Sequence, residues 1–434
     1  MNKILCLLAC LLALPSFSQK LKPCGTSVIH KRSTPARTRS VQDVSRLCDG
    51  ERRGLIILVS FQDQDFGSAN PKETWTAIAN EQGYTGNGAV GSVSDYFRDQ
   101  SYDQFHLTFD VVGPVKVAHE HAYYGTNKDW GDPTGWFDQN VGEFVEEACK
   151  AVADTVCFAD YDWDDDGLVE EVYLVYAGHG ENDYSDRDST VIWPHMASLS
   201  GDWEGYENGL YLQGVCIDVY ACSNEIDRGG ALAGMGTICH EFSHCLGLPD
   251  LYNTDTGNSV LGHYDLMDLG SYNGPNNNGW CPPGYSSYER YACGWLTPQE
   301  TYAVPEDVDL QPLHLSAEAR LYRTASDAND YYLIENRQKV SWDSYLPSDG
   351  VMVWHIDYDE EAWWTNVVNN DPAHQRVERL SLAQIPTAIA SLMVDVPGSL
   401  VYYDLHGRRL PSAPVGSGLY IVRFPDGTIK KCTR

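Results

Sequence analysis

Basic residues are scarce in this sequence, and their scarcity excludes two kinds of partner. Lysine and arginine total 30 against 61 aspartates and glutamates, so the formal net charge is −31. Nucleic acids and anionic membrane surfaces bind proteins that carry a basic patch, so we expect neither as a partner. An acidic surface suits a protein that must stay soluble outside the cell, and some of its carboxylates are candidate calcium ligands.

Long apolar segments are also missing after the N-terminus, which leaves no candidate for a transmembrane helix. Residues 4–14 are apolar but too few to span a bilayer. They follow the basic Lys3 and precede small residues that end at Ser18, as in a secretory signal peptide. We predict a signal peptide at residues 1–18 and a secreted or cell-surface protein. A lipoprotein signal ending at Cys10 is the alternative, and it would leave a very short apolar region.

Thirteen cysteines occur in the chain, and eleven remain once the signal peptide is removed. An exported chain with this many cysteines is expected to hold disulfides. The odd number leaves at least one thiol unpaired in a monomer. Spacing alone does not establish connectivity, but close spacing favours the pairs Cys149–Cys157, Cys216–Cys222 and Cys281–Cys293.

Hydrophobic patterning divides the mature chain into four parts. Residues 19–50 are basic and polar, which is typical of a flexible leader or a short propeptide. Residues 51–298 alternate apolar strands with amphipathic helices, which predicts an α+β domain. Short strands dominate residues 299–380, and a small β segment follows at residues 381–434.

The stretch TICHEFSHCLGLPDLYN, at residues 237–253, concentrates potential metal ligands. We predict a helix over residues 230–247, which places His240 and His244 one turn apart, where both imidazoles can hold one ion. Glu241 then points beside the ion, where it can take a proton from a zinc-bound water and pass it to a leaving amine. Zinc lowers the pKa of such a water to about 7. H-E-x-x-H on a helix is a signature of zinc metalloproteases.

The third protein ligand is expected after this helix. Gly247 can end the helix and turn the chain, so that Asp250 returns to the metal. The pattern HExxHxxGxxD follows that of the metzincins, with aspartate in place of the last histidine. Metzincins also carry a methionine turn below the zinc, and Met267 in GHYDLMDLGSYNG fits it. A thermolysin-like site, with Glu289 of a later helix as third ligand, is the alternative.

Two cysteines flank the histidines and allow a different kind of zinc site. With Cys239 and Cys245 as ligands, the ion would be enclosed by two histidines and two thiolates and would be inert. Each cysteine is adjacent in sequence to a histidine, so it projects about 100° away from that histidine on a helix. We therefore expect both cysteines in the core or in a disulfide.

These segments resemble those of the immune inhibitor A-like zinc metallopeptidases, which are secreted bacterial enzymes. MGTICHEFSHCLGLPDLYN is similar to the active-site helix of that family, ILVSFQDQDF to its first strand and YDLMDLGSYN to its Met-turn. IWPHM, YYLIENRQ and GVMVWHID resemble later landmarks, so the similarity covers roughly residues 54–360.

The resemblance implies an α+β, zincin or metzincin-like catalytic domain with a mixed sheet and an active-site helix, followed by β-rich segments. It also implies endopeptidase activity on proteins or peptides, with zinc held by His240, His244 and Asp250 and with Glu241 as general base. Two other functions stay open: a non-catalytic adhesin on a zincin scaffold, and a zinc hydrolase that acts on non-peptide bonds.

The stretch DYDWDDDGLVEE shows the acidic alternation of a calcium-binding loop, with a glycine at the turn. Position twelve of the loop is Tyr173 in place of glutamate, so the EF-hand pattern is incomplete and needs a further ligand. We predict a structural calcium ion here. Its candidate ligands are the side chains or carbonyl groups of Asp162, Asp164, Asp166, Leu168 and Glu170.

Four further residues are candidates for roles near the zinc. His263 and Tyr264 precede the Met-turn and are candidates to line the substrate cleft or to donate a hydrogen bond to the oxyanion. The leader is short for a folded inhibitory prodomain, so Cys24 or Cys48 is a candidate to cap the zinc.

The C-terminal segment, residues 381–434, contains LHGRRL and GLYIV around two predicted strands. This pattern resembles the small domain that directs proteins through type IX secretion. It makes an outer-membrane secretion machinery a candidate partner, alongside protein or peptide substrates.

Overall fold

The apolar run LIILV, at residues 55–59, lies within the main sheet of the protein. The computed structural model describes residues 47–128, 137–181, 188–227, 229–301, 310–323 and 328–380, and short strands between 401 and 433. The predicted signal peptide, most of the leader and Cys24 lie outside these described residues.

The described residues contain eight α-helices, most of them short. They are α1 Pro71–Asn80, α2 Val93–Gln100, α3 His121–Gly125, α4 Val141–Val152, α5 Leu199–Asp202, α6 Gly236–Cys245, α7 Ser287–Ala292 and α8 Glu360–Trp364. No helix in this described part is long and apolar enough to cross a bilayer.

The strands that precede α6 form one large and two small sheets. They are β1 Gly50–Ser60, β2 Phe105–Lys116, β3 Asn127–Lys128, β4 Phe137–Asp138, β5 Leu168–Val169, β6 Val172–Tyr176, β7 His195–Ser198, β8 Leu210–Leu212, β9 Val215–Ile217 and β10 Val219–Asn224. The main sheet has the order β2-β1-β6-β10-β7. Its first four strands are parallel, and β7 pairs with β10 in the antiparallel direction. The mixed sheet and the helices agree with the predicted α+β class.

Alternate residues of β1 face opposite sides of the main sheet, as strand geometry requires. Ile56 and Leu58 join the hydrophobic core on the side of α1, α2 and α6. Leu55, Ile57 and Val59 join the core on the side of α4. The sheet is therefore buried on both faces, which explains why β1 is a continuous apolar run and not an alternating one.

Helix α6 is shorter than the predicted helix of residues 230–247, and this prediction was wrong at its N-terminal end. The amide of Ala233 donates a hydrogen bond to the carbonyl of Glu225 (2.9 Å), so the chain before α6 runs beside the end of β10 and is not helical. Gly236 begins the helix where a Cβ atom would lie 1.9 Å from the carbonyl oxygen of Ser271. Only glycine allows this close approach between α6 and the residues after Met267.

Residues after 298 form a second sheet, β11-β12-β13-β14-β15, as the short strands in the sequence predicted. Leu333, Trp354 and Trp363 of this part belong to the same hydrophobic core as Ile238 and Met267. The β-rich part is thus packed onto the part that precedes it through a common core. Its strands are β11 Gln299–Thr301, β12 Arg320–Arg323, β13 Asp330–Arg337, β14 Gly350–Asp357 and β15 Val377–Leu380.

The C-terminal segment contains a separate four-stranded sheet with the order β17-β16-β18-β19. All its pairings are antiparallel. Its strands are β16 Val401–Tyr403, β17 Arg409–Leu410, β18 Leu419–Arg423 and β19 Ile429–Thr433. Residues 381–400 lie outside the described part of the chain.

The three predicted disulfides are not formed: nine cysteines between residues 48 and 293 are free thiols. Close spacing in sequence gave a wrong prediction. The thiols of Cys216, Cys222 and Cys281 contact backbone carbonyls instead of their predicted partners. The Cys281 thiol contacts the carbonyls of Ser341 and Trp342 (both 3.6 Å). Burial and then the neighbouring Cys48 thiol raise the pKa of Cys293.

Candidate metal centre

Helix α6 carries the two histidines of the H-E-x-x-H motif on one face. The ring centroids of His240 and His244 lie 5.0 Å apart, and the rings are nearly perpendicular. The helix is anchored by Phe242, whose ring packs against Phe109 of β2 and Tyr173 of β6. His240 on the same helix is completely buried.

The helix ends in a Schellman turn at the predicted glycine. Gly247 has a φ of 80°, its amide bonds to the carbonyl of His244 (2.8 Å), and the Leu248 amide bonds to the carbonyl of Ser243 (3.2 Å). A left-handed residue at this position favours glycine because no Cβ clash arises. The turn reverses the chain and brings Asp250 back to the histidines.

Asp250 completes a group of three ligating atoms. Its Oδ1 lies 3.1 Å from Nε2 of His240 and 3.5 Å from Nε2 of His244, and the three atoms lie within 4.8 Å of one another. Among the described residues, His240 Nε2 and Asp250 Oδ1 are buried without a hydrogen-bond partner of good geometry. Buried polar atoms are rarely left in this state. Two imidazole nitrogens and one carboxylate oxygen fit the ligand set of a catalytic zinc ion, which keeps a fourth position open.

Backbone carbonyls orient both imidazoles. Nδ1 of His240 donates to the carbonyl of Leu266 (2.9 Å), and Nδ1 of His244 donates to the carbonyl of Leu248 (2.7 Å). With the proton on Nδ1, the lone pair of Nε2 is directed at the metal position.

Asp250 is oriented by a side chain from the β-rich part. Its Oδ2 accepts a hydrogen bond from Nδ2 of Asn366 (2.7 Å), and its backbone amide donates to Oδ1 of Asn366 (2.7 Å). The carboxylate therefore presents Oδ1 to the two histidines.

The electrostatics of the group favour positive charge at its centre. Burial acts to lower the pKa of His240, but the close contact with the Asp250 carboxylate and the charges of Glu241 and Asp250 outweigh it and raise the pKa to about 9. Burial acts to raise the pKa of Asp250, but the two histidines outweigh it and hold the pKa below the usual range. A bound cation would take the place of the proton on His240.

Glu241 follows His240 in α6 and is completely buried. A second acid, Glu171, lies beside the same helix, where its Oε2 accepts a hydrogen bond from the Cys245 thiol (3.3 Å). Burial, followed by the charge of Glu241, raises the pKa of Glu171 to about 8. Burial and the neighbouring Glu241 thus favour the protonated form of Glu171.

The alternative ligands have other partners in the fold. Glu289 accepts hydrogen bonds from the amide and hydroxyl of Ser286 and lies outside the group of ligating atoms. Cys239 is buried in the hydrophobic core, and Cys245 contacts Glu171, so neither thiol faces the metal position. Cys48, the described candidate for capping the zinc, is buried and bonds instead to the carbonyl of Leu246 (3.7 Å).

A family model described as the catalytic domain of the immune inhibitor A peptidases, M6, matches residues 65–295. This match covers more than half of the 434 residues. The chain belongs to the immune inhibitor A peptidase family. The proposed ligands His240, His244 and Asp250 lie within the matched residues, whereas Asn366 lies beyond them.

Two relatives are named as a metalloprotease and as immune inhibitor A. The chain is similar to the pre-pro-metalloprotease PrtV of Vibrio cholerae serotype O1, with 26% identity over 310 residues, which is 61% of this chain and 32% of PrtV. It is similar to immune inhibitor A of Bacillus thuringiensis subsp. alesti, with 24% identity over 206 residues, which is 43% of this chain and 29% of that protein. The chain thus spans about a third of the length of the curated relatives it matches.

The segment predicted to form the methionine turn packs against α6. Met267 is completely buried, and its carbonyl accepts a hydrogen bond from the Leu251 amide (2.9 Å), one residue after Asp250. The preceding carbonyl, of Leu266, is the one that orients His240. The turn therefore supports two of the three candidate ligands from below.

His263 and Tyr264, the candidate substrate-binding residues, are half-buried and already have partners. Nδ1 of His263 pairs with Oδ1 of Asn273 (2.7 Å), and the hydroxyl of Tyr264 pairs with the Ser348 hydroxyl (2.8 Å). The guanidinium of Arg379 lies over the Tyr264 ring, 3.9 Å from its centroid. These contacts tie both residues to their surroundings, and Tyr264 to the β-rich part.

The acidic loop brings together only part of its predicted ligand set. Carboxylate oxygens of Asp162, Asp164 and Asp166 lie within 4.8 Å of one another. Amides of Asp166 and Gly167 donate to Asp162 (3.1 and 2.8 Å), which curls the loop. Glu170 is buried, and its Oε2 accepts a hydrogen bond from the Trp163 amide (2.6 Å). Leu168 lies at the start of β5.

A third group of potential ligands consists of His119, Glu143 and Glu147. Hydroxyl groups of Tyr123 and Tyr124 donate to the two glutamates (both 2.8 Å). The His119 ring stacks on Tyr123, with centroids 3.9 Å apart. These hydrogen bonds and this ring stacking explain why the three side chains lie close together, and no metal ion is needed to explain it.

Sequence reasoning missed Asn366 and Glu171. Asn366 is 116 residues from Asp250 and belongs to no recognisable motif. Glu171 was included in the acidic stretch of the calcium loop, yet it points to α6. Only the tertiary structure brings either residue to the metal centre.

Proposed function

We propose that this chain is a secreted zinc-dependent endopeptidase that hydrolyses peptide bonds of extracellular proteins. The observation that carries the proposal is the convergence of His240, His244 and Asp250 within 4.8 Å, in a chain that belongs to a peptidase family. Glu241 stands between the two histidines in the sequence of α6, as a general base requires in this motif.

His240, His244 and Asp250 would hold the zinc ion. When bound, zinc supplies Lewis acidity, which lowers the pKa of water and polarises the carbonyl of the scissile bond. Two nitrogens and one carboxylate leave a position open for substrate, in contrast to a closed structural site.

Glu241 would move the proton. Its carboxylate takes a proton from the attacking water and delivers it to the amine that leaves when the peptide bond breaks. The carboxylate lies in a surrounding of low polarity, since His240, Glu241 and Asp250 are all completely buried. Low local polarity strengthens the interaction of this carboxylate with the charges of the reaction.

The test is casein hydrolysis by the purified mature protein, with and without a zinc chelator, beside Glu241→Gln. We expect the chelator to abolish cleavage. We expect Glu241→Gln to keep its zinc, measured by elemental analysis, and to lose about 10²- to 10⁴-fold or more of its activity. Mass spectra of the products distinguish internal cleavage from trimming at the ends.

Two results would contradict the proposal. If the wild type binds zinc but cleaves neither casein nor mucin, an adhesin on a zincin scaffold takes its place. If it cleaves small esters and no peptides, the enzyme is a zinc hydrolase of another class.

We also propose a structural calcium ion in the acidic loop, with Asp162, Asp164 and Asp166 as its core ligands. Three carboxylates this close repel one another unless a cation is present. Millimolar calcium should raise the unfolding temperature by at least about 2 °C. Asp164→Asn should remove that rise, and Asp154→Asn, an exposed residue outside the loop, should keep it.

Export is the remaining part of the proposal. The N-terminal signal pattern and the type IX-like pattern at residues 381–434 support it. Expression in a host that has this secretion route should place the protein outside the cell. After deletion of residues 381–434, the protein should stay in the periplasm. Secretion of the shortened protein into the medium would contradict the proposed role of these residues in export.

A further inference from the structure

Asn366 lies two residues after α8, in a part of the chain that the family match does not reach. Its side-chain amide forms two hydrogen bonds to a single residue. Nδ2 donates to Oδ2 of Asp250, Oδ1 accepts from the backbone amide of Asp250, and both distances are 2.7 Å. The amide therefore fixes both the backbone and the carboxylate of the third candidate ligand.

We propose that Asn366 is a positioning residue of the metal centre, and that the β-rich part thereby completes the zinc site. This inference rests on the zinc site of the proposed function. By occupying Oδ2, Asn366 leaves Oδ1 of Asp250 to the metal and prevents rotation of the carboxylate. Groups that hold a metal ligand in this way set its orientation and its basicity.

The three candidate ligands are oriented by different kinds of group. Carbonyls of Leu266 and Leu248 hold His240 and His244, and no substitution of a side chain removes a carbonyl. Asp250 is held by a side chain that can be changed. Asn366 is therefore the place where the orientation of one ligand can be altered while the ligand itself remains.

The residues around Asn366 keep its amide in place. The indole of Trp363 donates to the carbonyl of Gly247 (2.9 Å), and the Thr254 hydroxyl donates to the carbonyl of Asn366 (2.8 Å). Oδ1 of Asn370 accepts from the Thr254 amide (2.8 Å). Residues 363–370, the clamp segment, thus run beside the turn that carries Asp250 and bond to it before and after that residue.

The backbone at Asn366 determines which substitution gives a clean test. Its φ is 56°, in the left-handed region where asparagine and glycine are accommodated best. Asn366→Gly removes the side-chain amide without straining the backbone. Asn366→Ala would remove the amide and would also strain the backbone, because alanine carries a Cβ atom. Asn80 provides the matched control, since its amide also bridges the N–H and the C=O of one residue, Phe109 (2.8 and 2.9 Å).

The experiment measures zinc affinity by competition with a chelating dye, in protein shown to be folded by circular dichroism. Asn366→Gly should bind zinc about 10- to 100-fold more weakly than the wild type. Asn80→Ala should lose stability but keep the wild-type affinity.

The visible absorption of the cobalt-substituted protein gives a second readout, because it reports the coordination geometry. The spectrum should change in Asn366→Gly and stay constant in Asn80→Ala. Zinc affinity of Asn366→Gly within about threefold of wild type, with an unchanged cobalt spectrum, would overturn the role of Asn366. If instead the wild type binds no zinc, or His240→Ala binds as much as the wild type, the zinc site itself fails.

Discussion

Buried histidines occur on both sides of the main sheet, and their pKa values are shifted in opposite directions on the two sides. On the α6 side, neighbouring carboxylates raise the pKa of His240 to about 9 in spite of its burial. On the α4 side, burial lowers the pKa of His121 and of His195 to about 4. A buried histidine is thus in surroundings that favour positive charge on one side of the sheet, and in surroundings that favour the neutral ring on the other.

The partners of the rings account for this difference. His195 donates from Nδ1 to the Trp193 carbonyl (2.5 Å) and accepts at Nε2 from the Tyr220 hydroxyl (2.8 Å). His121 accepts at Nε2 from the Ile192 amide (3.1 Å) and stacks on Phe61. The hydrogen-bond partners of both rings are neutral, and the charges of Asp63 and Asp188 near His121 do not outweigh its burial. In contrast, Nε2 of His240 faces a carboxylate. A buried histidine is a candidate metal ligand when a carboxylate shares its free nitrogen, and burial by itself does not indicate this role.

The largest effect should come from removing one histidine on each side. His240→Ala should lose its bound zinc and at least about a thousandfold of peptidase activity, since ion and base act together. His195→Ala should keep its zinc and lose about 1–3 kcal/mol of unfolding free energy, because the buried Tyr220 hydroxyl loses its acceptor. Elemental analysis, casein hydrolysis and urea denaturation measure these outcomes. Equal zinc content in the two variants would remove the distinction between them.

The next effect concerns zinc affinity and pH. In the metal-free protein His240 holds its proton below about pH 9. Zinc must displace this proton, so the apparent affinity should fall about tenfold for each unit by which the pH drops from 8 to 6. Chelator competition at several pH values measures the slope. A flat profile would show that His240 is already neutral.

The smallest effect concerns acid stability on the α4 side. The pKa of His195 is about 4 in the folded protein, below the value of about 6.5 in the unfolded chain. The unfolded state therefore binds the proton first, and stability is lost as the pH falls from about 6.5 towards 4. Between pH 7 and 4.5, His195→Gln should lose about 2 kcal/mol less unfolding free energy than the wild type. Urea denaturation in the presence of chelator checks this, and parallel losses in both proteins would contradict it.

The candidate metal site was predictable because its core is local in sequence. His240, Glu241, His244 and Asp250 fall within eleven residues, and helical spacing followed by a glycine turn is enough to bring them together. The α+β class followed from patterning in the same way, since a strand buried on both faces is continuously apolar.

Other features depended on contacts between residues far apart in the chain. Apolar residues before Gly236 suggested a longer helix. The backbone hydrogen bond from the Ala233 amide to the Glu225 carbonyl instead holds that segment beside the end of β10. Cysteine pairs were inferred from spacing, yet Cys293 lies beside Cys48 in the core. No periodicity or spacing carries information of this kind.

The sequence by itself determined which residues are candidate ligands, the one-turn spacing of His240 and His244 on α6 and the turn at Gly247, because these follow from the geometry of a single helix and its end. The tertiary structure alone decided how the candidate ligands are oriented. Leu266 reaches His240 from the methionine turn, and Asn366 reaches Asp250 from the β-rich part. The physical reason is that hydrogen-bond partners are chosen by proximity in space, which is established only when both sheets pack on one core.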